Sequence, residues 1–329
     1  MDATVHDRDL DDEQLELTAL TFTPAPSIDR TYSLSTLQPG EVNRAGFSRT
    51  ALGGKGVNVA GSLVAGRKRA IAVLPLDPAL VPASVPDHLE ILDVAGVGRT
   101  NVILVEDGGA TTNVNDRAAP MATDDWLGLH HRVLATARRE RARWVVLGGA
   151  LPDVDGRPAP LERLAAETQL SGIRVALDTA GVELRRLLAA GMRPDLVKPN
   201  ASELSEATGH AVPDLDGAVA AAQVLRDMGA SAVLASLGDR GAIYLDDRHS
   251  LICAAPRVPV LDTTGAGDAL LAGFLSRIET GGSLDIHDAL CTGVSWGALT
   301  VQSTSPVASA LPSSHGLSAR ELPAAVPLG

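Results

Sequence analysis

Lysine is nearly missing from this chain of 329 residues: of its 28 basic side chains only Lys55, Lys68 and Lys198 are lysines. Where a positive charge needs only solvent, the sequence uses arginine. Two of the three lysines, Lys55 and Lys198, fall inside the motifs quoted below, and a compact, flexible cation is not interchangeable with a planar guanidinium in a tight anion site. Cysteine is as scarce, and Cys253 and Cys291 have neither disulfide nor metal spacing, which fits a reducing cytosol. No apolar run approaches the roughly 20 residues of a membrane span. The start, Met1-Asp2-Ala3-Thr4-Val5, lacks a basic region followed by an apolar one, so no secretory leader is expected and a cytoplasmic location is. A net charge of −12 argues against nucleic acid or an anionic membrane as main partner. Two common glycine signatures are absent as well. Leu270 stands where a dinucleotide fingerprint needs its third glycine, and Lys55 is followed by Gly56 rather than Ser or Thr.

What the chain does have is Leu261-Asp262-Thr263-Thr264-Gly265-Ala266-Gly267-Asp268, followed by an apolar run of helical period. Two glycines around a small residue, then a carboxylate, build a helix N-terminus whose free amides form an anion pocket with Asp268 beside it. An anion cradle next to a carboxylate base suits phosphoryl transfer, where catalysis is positioning and charge neutralisation. The alternative is a tight turn into a buried helix, Asp268 merely complementing the helix dipole.

Asp262-Thr263-Thr264-Gly265-Ala266-Gly267-Asp268 resembles the C-terminal motif of the ribokinase-like sugar kinases, the phosphofructokinase B family. Gly53-Gly54-Lys55-Gly56-Val57-Asn58-Val59-Ala60 is similar to that family's N-terminal motif, and Gly40-Glu41-Val42-Asn43-Arg44 to its 1-phosphofructokinase and tagatose-6-phosphate kinase branch. Lys198-Pro199-Asn200 with Glu203, and Ser236-Leu237-Gly238-Asp239-Arg240-Gly241, fill the expected places between. The resemblance implies a doubly wound, mostly parallel α/β sheet with helices on both faces and a small β-sheet lid. It implies Asp268 as general base with the amides of Gly265, Ala266 and Gly267 as anion hole. Asp29, Gly53, Gly54, Lys55, Asn58, Arg99 and Asn101 would bind the sugar phosphate, Lys55 taking the phosphate already on it. Lys198, Asn200, Ser236, Gly238 and Gly241 would bind ATP, and Asn200 and Glu203 would orient hydrated Mg²⁺ through water. Read for structure alone, Asn200 and Glu203 also have the spacing of a capping box.

Along the chain, residues 1–15 read as an acidic disordered leader, 16–303 as the kinase domain and 304–329 as a loose tail rich in Ser, Pro and Ala. Lid strands are expected from about 29–50 and 97–116, Gly40–Arg44 among them, with a hairpin across Asp107-Gly108-Gly109. Pro78, Pro82 and Pro86 leave little room for a helix after the strand Ile71–Leu76. A helix is predicted over Thr123–Arg139 with Thr123 as N-cap, and His130 and His131, pointing to different faces, are expected at the surface rather than on a metal. Two positions depart from the family: Ala25 replaces the Asn of its Asn-Pro-Ala-x-Asp run, and Asp116-Arg117-Ala118 replaces Glu-Pro-Gly.

The reading that follows is an ATP-dependent kinase of a ketose phosphate, fructose 1-phosphate first, with tagatose 6-phosphate or another sugar as alternatives. From another class, Ala25 and the shortened connection after Leu76 permit a sugar-phosphate-binding regulator without turnover. An exposed lid sheet would allow a homodimer.

Overall fold

A computed structural model describes residues 17–278, 285–312 and 316–322; the leader expected over residues 1–15 lies outside the described residues. The chain begins with β1 (Ala19–Phe22), leaves for β2 (Ser27–Leu34) and β3 (Phe47–Gly53), and returns through α1 (Lys55–Ala65) to β4 (Ala70–Leu76) and β5 (Leu89–Asp93). A hairpin of β6 (Arg99–Glu106) and β7 (Thr111–Asn115) follows. Then come α2 (Thr123–Arg139), β8 (Trp144–Gly148), the short pair β9 (Asp153–Val154) and β10 (Arg157–Pro158), α3 (Leu161–Leu170) and β11 (Arg174–Asp178). α4 (Gly181–Ala189), β12 (Leu196–Val197), α5 (Ala201–Thr208), α6 (Leu215–Asp227) and β13 (Val233–Ser236) continue the alternation. β14 (Ala242–Leu245), β15 (Ser250–Cys253), α7 (Ala266–Arg277), α8 (Ile286–Thr300) and β16 (Ala319–Glu321) complete it.

Among the described residues the main sheet has ten strands in the order β16-β15-β14-β13-β12-β11-β8-β1-β4-β5, parallel from β5 to β13 and antiparallel beyond. Its central strands are apolar without alternation, Ala19-Leu20-Thr21-Phe22 and Trp144-Val145-Val146-Leu147-Gly148, because both faces are covered and every residue of them is buried. Phe22 and Trp126 anchor the core under α2–α6, while Phe274 and Trp296 anchor the one under α1, α7 and α8. The small sheet runs β3-β2-β6-β7 and lies at the end of β1, where the chain leaves the main sheet. Among the described residues no helix is long and apolar enough to cross a membrane.

Several local expectations are corrected. Gly40–Arg44 forms no strand: the Asn43 side chain receives the Gln38 amide and donates to the Gln38 and Glu41 carbonyls, closing a loop on itself. The reading after Leu76 is not among them: no α-helix lies between β4 and β6, and β5 follows the prolines, its Leu89 and Ile91 packing on the core at the sheet edge. Ala122, not Thr123, caps α2, since the Thr123 hydroxyl is spent on Asp155 at 2.6 Å. His130 is buried, its ring 3.0 Å from Glu167. Of the tail expected over 304–329, only 304–312 and 316–322 are described, and there Ala308 and Leu311 are buried and Ala319–Glu321 pairs with β15. Composition hid this because a few apolar residues suffice to seat a segment along helices already in place.

Candidate active site

The floor of the site is built where α7 starts. Gly265 caps that helix at φ 80°, and a Cβ there would stand 2.1 Å from the Pro306 carbonyl oxygen, so only glycine fits. Among the described residues no side chain caps the helix. The amides of Gly265, Gly267 and Asp268 have no partner among the described residues, whereas that of Ala266 turns back to the Thr263 carbonyl at 3.3 Å. The pocket of free N–H groups is thus shifted from the expected set by one position, Asp268 replacing Ala266. The Lys198 ammonium lies 3.2 Å from where a Gly267 side chain would begin.

Asp268, on the first turn of α7, is 8 % exposed, and its Oδ2 accepts from Asn58 Nδ2 at 2.8 Å. Lys55, at the start of α1, donates to Asp178 Oδ1 at 2.6 Å and to Glu203 Oε1 at 2.9 Å. Lys198 faces the other oxygen of Asp178 at 3.3 Å. Two ammoniums are therefore matched by two carboxylates, and the negative charge of Asp268 is left over. Burial first, and then Asp178, push the Asp268 carboxyl up to about 7, against Lys55, Lys198 and Asn58. Burial disfavours the Lys55 ammonium, but Asp178, Glu203 and Asp268 outweigh it and hold that lysine above its ordinary range. Asp178 was not singled out in the sequence. Its one signal was a carboxylate closing an apolar strand, Ala176-Leu177-Asp178, at the strand end where parallel sheets bind ligands.

Lys55 is thereby drawn to the floor, not to the group expected to share a sugar phosphate with it. That group sits on the small sheet. The register aligns Asp29 with Ala51 and Asn101, and Ser27 with Gly53 and Arg99, so these residues share one face. Asp29 Oδ1 accepts from Ser27 Oγ at 2.6 Å and Asn101 Nδ2 at 2.9 Å. Its Oδ2 hangs over Gly53, where a Cβ would come within 2.0 Å. Arg99 donates to Asn101 Oδ1, to the Asp116 carbonyl at 2.7 Å and to the Ala25 carbonyl at 3.3 Å. The Ala25 departure thus leaves a backbone contact in place, and Arg117 is exposed. Gly53, Gly54, Lys55 and Asn58 join the two clusters: one end lies under Asp29, the other holds Asp268.

On the far side Asn200 and Glu203 form the capping box, Oδ1 accepting from the Glu203 amide and Oε2 from the Asn200 amide, both at 2.9 Å. The structure brings Ser236 beside them through a parallel bridge to Asn200, its amide 3.0 Å from the Pro199 carbonyl. Gly238 and Gly241 bracket the turn between β13 and β14. Among the described residues no three His, Cys, Asp or Glu side chains converge as a ready metal cage. The Glu203 oxygens each accept one bond and keep a second lone pair, which suits a cation held through its own waters.

Residues 89–313 match the pfkB family of carbohydrate kinases. A 1-phosphofructokinase of Xanthomonas campestris is 36% identical over 274 residues, covering 80% of this chain and 85% of that protein. One of Rhodobacter capsulatus is 35% identical, covering 83% and 87%. The tetrameric inhibited form of phosphofructokinase-2 from Escherichia coli superposes with a TM-score of 0.73 at 25% identity, covering 86% of this chain and 94% of that one.

Proposed function

This chain belongs to the pfkB family of carbohydrate kinases and is an ATP-dependent sugar-phosphate kinase; from that premise we propose that it phosphorylates fructose 1-phosphate to fructose 1,6-bisphosphate. The observation that carries the reading is the continuity from Asp29 over Gly53 to Lys55 and Asn58, which sets a sugar-binding carboxylate and a catalytic one at two ends of one motif.

Asp29 Oδ2 and Asn101 receive sugar hydroxyls, and Arg99 binds the phosphate already present, a role we move here from Lys55. The acceptor hydroxyl then points to Asp268 Oδ1, which takes its proton as the phosphoryl group arrives. The free amides of Gly265, Gly267 and Asp268, with Lys198, neutralise charge on the migrating group. Lys55 keeps Asp178 and Glu203 in place. Ser236, Gly238 and Gly241 face the nucleotide, and Asn200 and Glu203 would hold Mg²⁺ through water, which would supply positive charge against the triphosphate. The lid keeps water out, so that ATP is not simply hydrolysed.

We place the enzyme in the cytoplasm as a homodimer through the lid, whose outer face carries Ile28, Tyr32, Val102, Leu104 and an exposed Val114. Sedimentation of wild type against Val114→Asp checks the dimer. The substrate test is kcat/KM for ADP formation with fructose 1-phosphate, tagatose 6-phosphate, fructose 6-phosphate and fructose. Fructose 1-phosphate is expected to lead; a different leader replaces the substrate, and tight binding without ADP formation makes the protein a regulator.

A further inference from the structure

The cations of the site are unequally committed. Lys55 is held by Asp178 and Glu203, and Lys198 by Asp178. Arg99 spends Nε on the Ala25 carbonyl and Nη1 on Asn101 and the Asp116 carbonyl, which leaves Nη2. One more guanidinium belongs to the same face of the lid. Arg49, in β3, is the register partner of Thr31, two residues beyond Asp29 on β2. Partners across a ladder and residues two apart along a strand point to one side of a sheet, so Arg49 shares the face of Asp29, Asn101 and Arg99. Arg30 pairs instead with Thr50 and Val102 and takes the opposite face. Arg49 is only partly exposed, yet it has neither hydrogen bond nor ion pair among the described residues. Acceptors are close by register: Asp29 lies one row in, and the Thr31 hydroxyl, directly opposite, is buried without a partner. The guanidinium is bonded to neither.

Register also gives the site a direction. The row of Ser27, Gly53 and Arg99 adjoins the floor, because Gly53 runs through Gly54 into Lys55. The row of Asp29 comes next and that of Arg49 last, each about 7 Å farther out at two residues per row. A ketose phosphate whose acceptor hydroxyl faces Asp268, and whose other hydroxyls meet Asp29, puts its phosphate at the end away from the floor. Arg99 approaches that end from the near row, its Nη1 already reaching out to Asn101. Resting on the substrate reading above, we propose that Arg49 completes the subsite from the far row, its guanidinium binding the phosphate already on the sugar together with Arg99. A dianion between two guanidiniums forms charge-assisted, forked bonds that an unphosphorylated ketose cannot form. Arg49 is therefore a specificity residue for the phosphorylated sugar.

The test is steady-state kinetics of Arg49→Gln and Arg49→Lys beside wild type, with fructose 1-phosphate and with fructose. Arg49→Gln removes the charge, and KM for fructose 1-phosphate is expected to rise about 10- to 100-fold, the loss of a charged pair of hydrogen bonds. Turnover at saturation, KM for ATP and kcat/KM for fructose should stay within about twofold, which also shows that the variant is folded. Arg49→Lys keeps the charge without the fork and should raise KM for fructose 1-phosphate less. An unchanged KM for fructose 1-phosphate in Arg49→Gln, a rise shared with ATP or fructose, or a rise equally large in Arg49→Lys would overturn the proposal. The substrate reading fails separately: a wild type with no preference for fructose 1-phosphate over fructose removes both, whereas a preference that survives Arg49→Gln removes this assignment alone.

Discussion

The floor and the lid of the active site solve opposite electrostatic problems. On the floor, Lys55, Lys198, Asp178, Glu203 and Asp268 are packed together, with Asp178 fully buried and Lys198 only 4 % exposed. On the lid, Asp29 and Arg99, partly exposed, are hydrogen-bonded to Ser27 and Asn101, which are buried, on a thin sheet. A buried charge cluster answers a proton or a phosphoryl group through its potential. A hydrogen-bonded shelf on a thin sheet answers the shape of a sugar. The floor should therefore govern turnover and its pH dependence, and the lid should govern which sugar is bound.

The sharpest way to break that division is Asp268→Asn. It keeps the bond from Asn58 but cannot take a proton, so kcat should fall about a thousandfold or more with ATP affinity nearly unchanged. Turnover near wild type would remove Asp268 from the chemistry. The matching lid experiment is Gly53→Ala, whose methyl would occupy the space of Asp29 Oδ2. Displacing that carboxylate by about 1 Å should raise KM for the sugar phosphate up to a hundredfold while leaving KM for ATP alone. A change confined to kcat would show that the lid is part of the chemical step.

These two regions were also unequally legible in the sequence. Asp268, Gly265, Lys55 and Asn58 sit in two short motifs whose residue types announce an anion pocket, and the structure brings both motifs together through Asn58 and Asp268. Asp178 had only its place at a strand end to mark it, because its partner Lys55 lies 123 positions away and a lone aspartate has no periodicity. The turn at Gly265 was readable as glycine chemistry, but not that Pro306, in a segment expected to be loose, would press against it. On the lid, alternation revealed β2, β6 and β7. It also suggested a strand over Gly40–Arg44 that the Asn43 side chain turns into a loop. Side chains that bond their own backbone defeat periodicity, which counts apolar residues only.

A smaller effect tests the charge balance itself. Asp178 raises the Asp268 carboxyl, whereas Lys55 and Lys198 lower it. Asp178→Asn leaves two ammoniums facing Glu203 and Asp268, so Asp268 should ionise more readily. The acidic limb of kcat/KM for the free enzyme, expected near the Asp268 value of about 7, should move down by roughly one pH unit. Lid variants such as Asn101→Ala should leave that limb in place. A limb that moves with the lid variant, or stays in Asp178→Asn, would erase the distinction between the two regions.

The smallest effect is on folding, and it separates the regions in the opposite sense. With its carboxyl raised from 3.8 to about 7, Asp268 holds its proton in the native state where the unfolded chain has released it. Between those values the native state binds more protons, so stability falls as pH rises and levels off above 7. Asp268→Asn removes that slope. Its melting temperature should equal wild type near pH 4, pull ahead through the window and keep a constant lead above 7. The lead corresponds to roughly 1–4 kcal/mol, a few degrees for a chain of this size. Asn101→Ala, on the lid, should show no such pH-dependent gain. If scanning calorimetry finds parallel pH profiles for wild type and Asp268→Asn, the excess negative charge is not on Asp268, and the floor stores no folding energy for catalysis there.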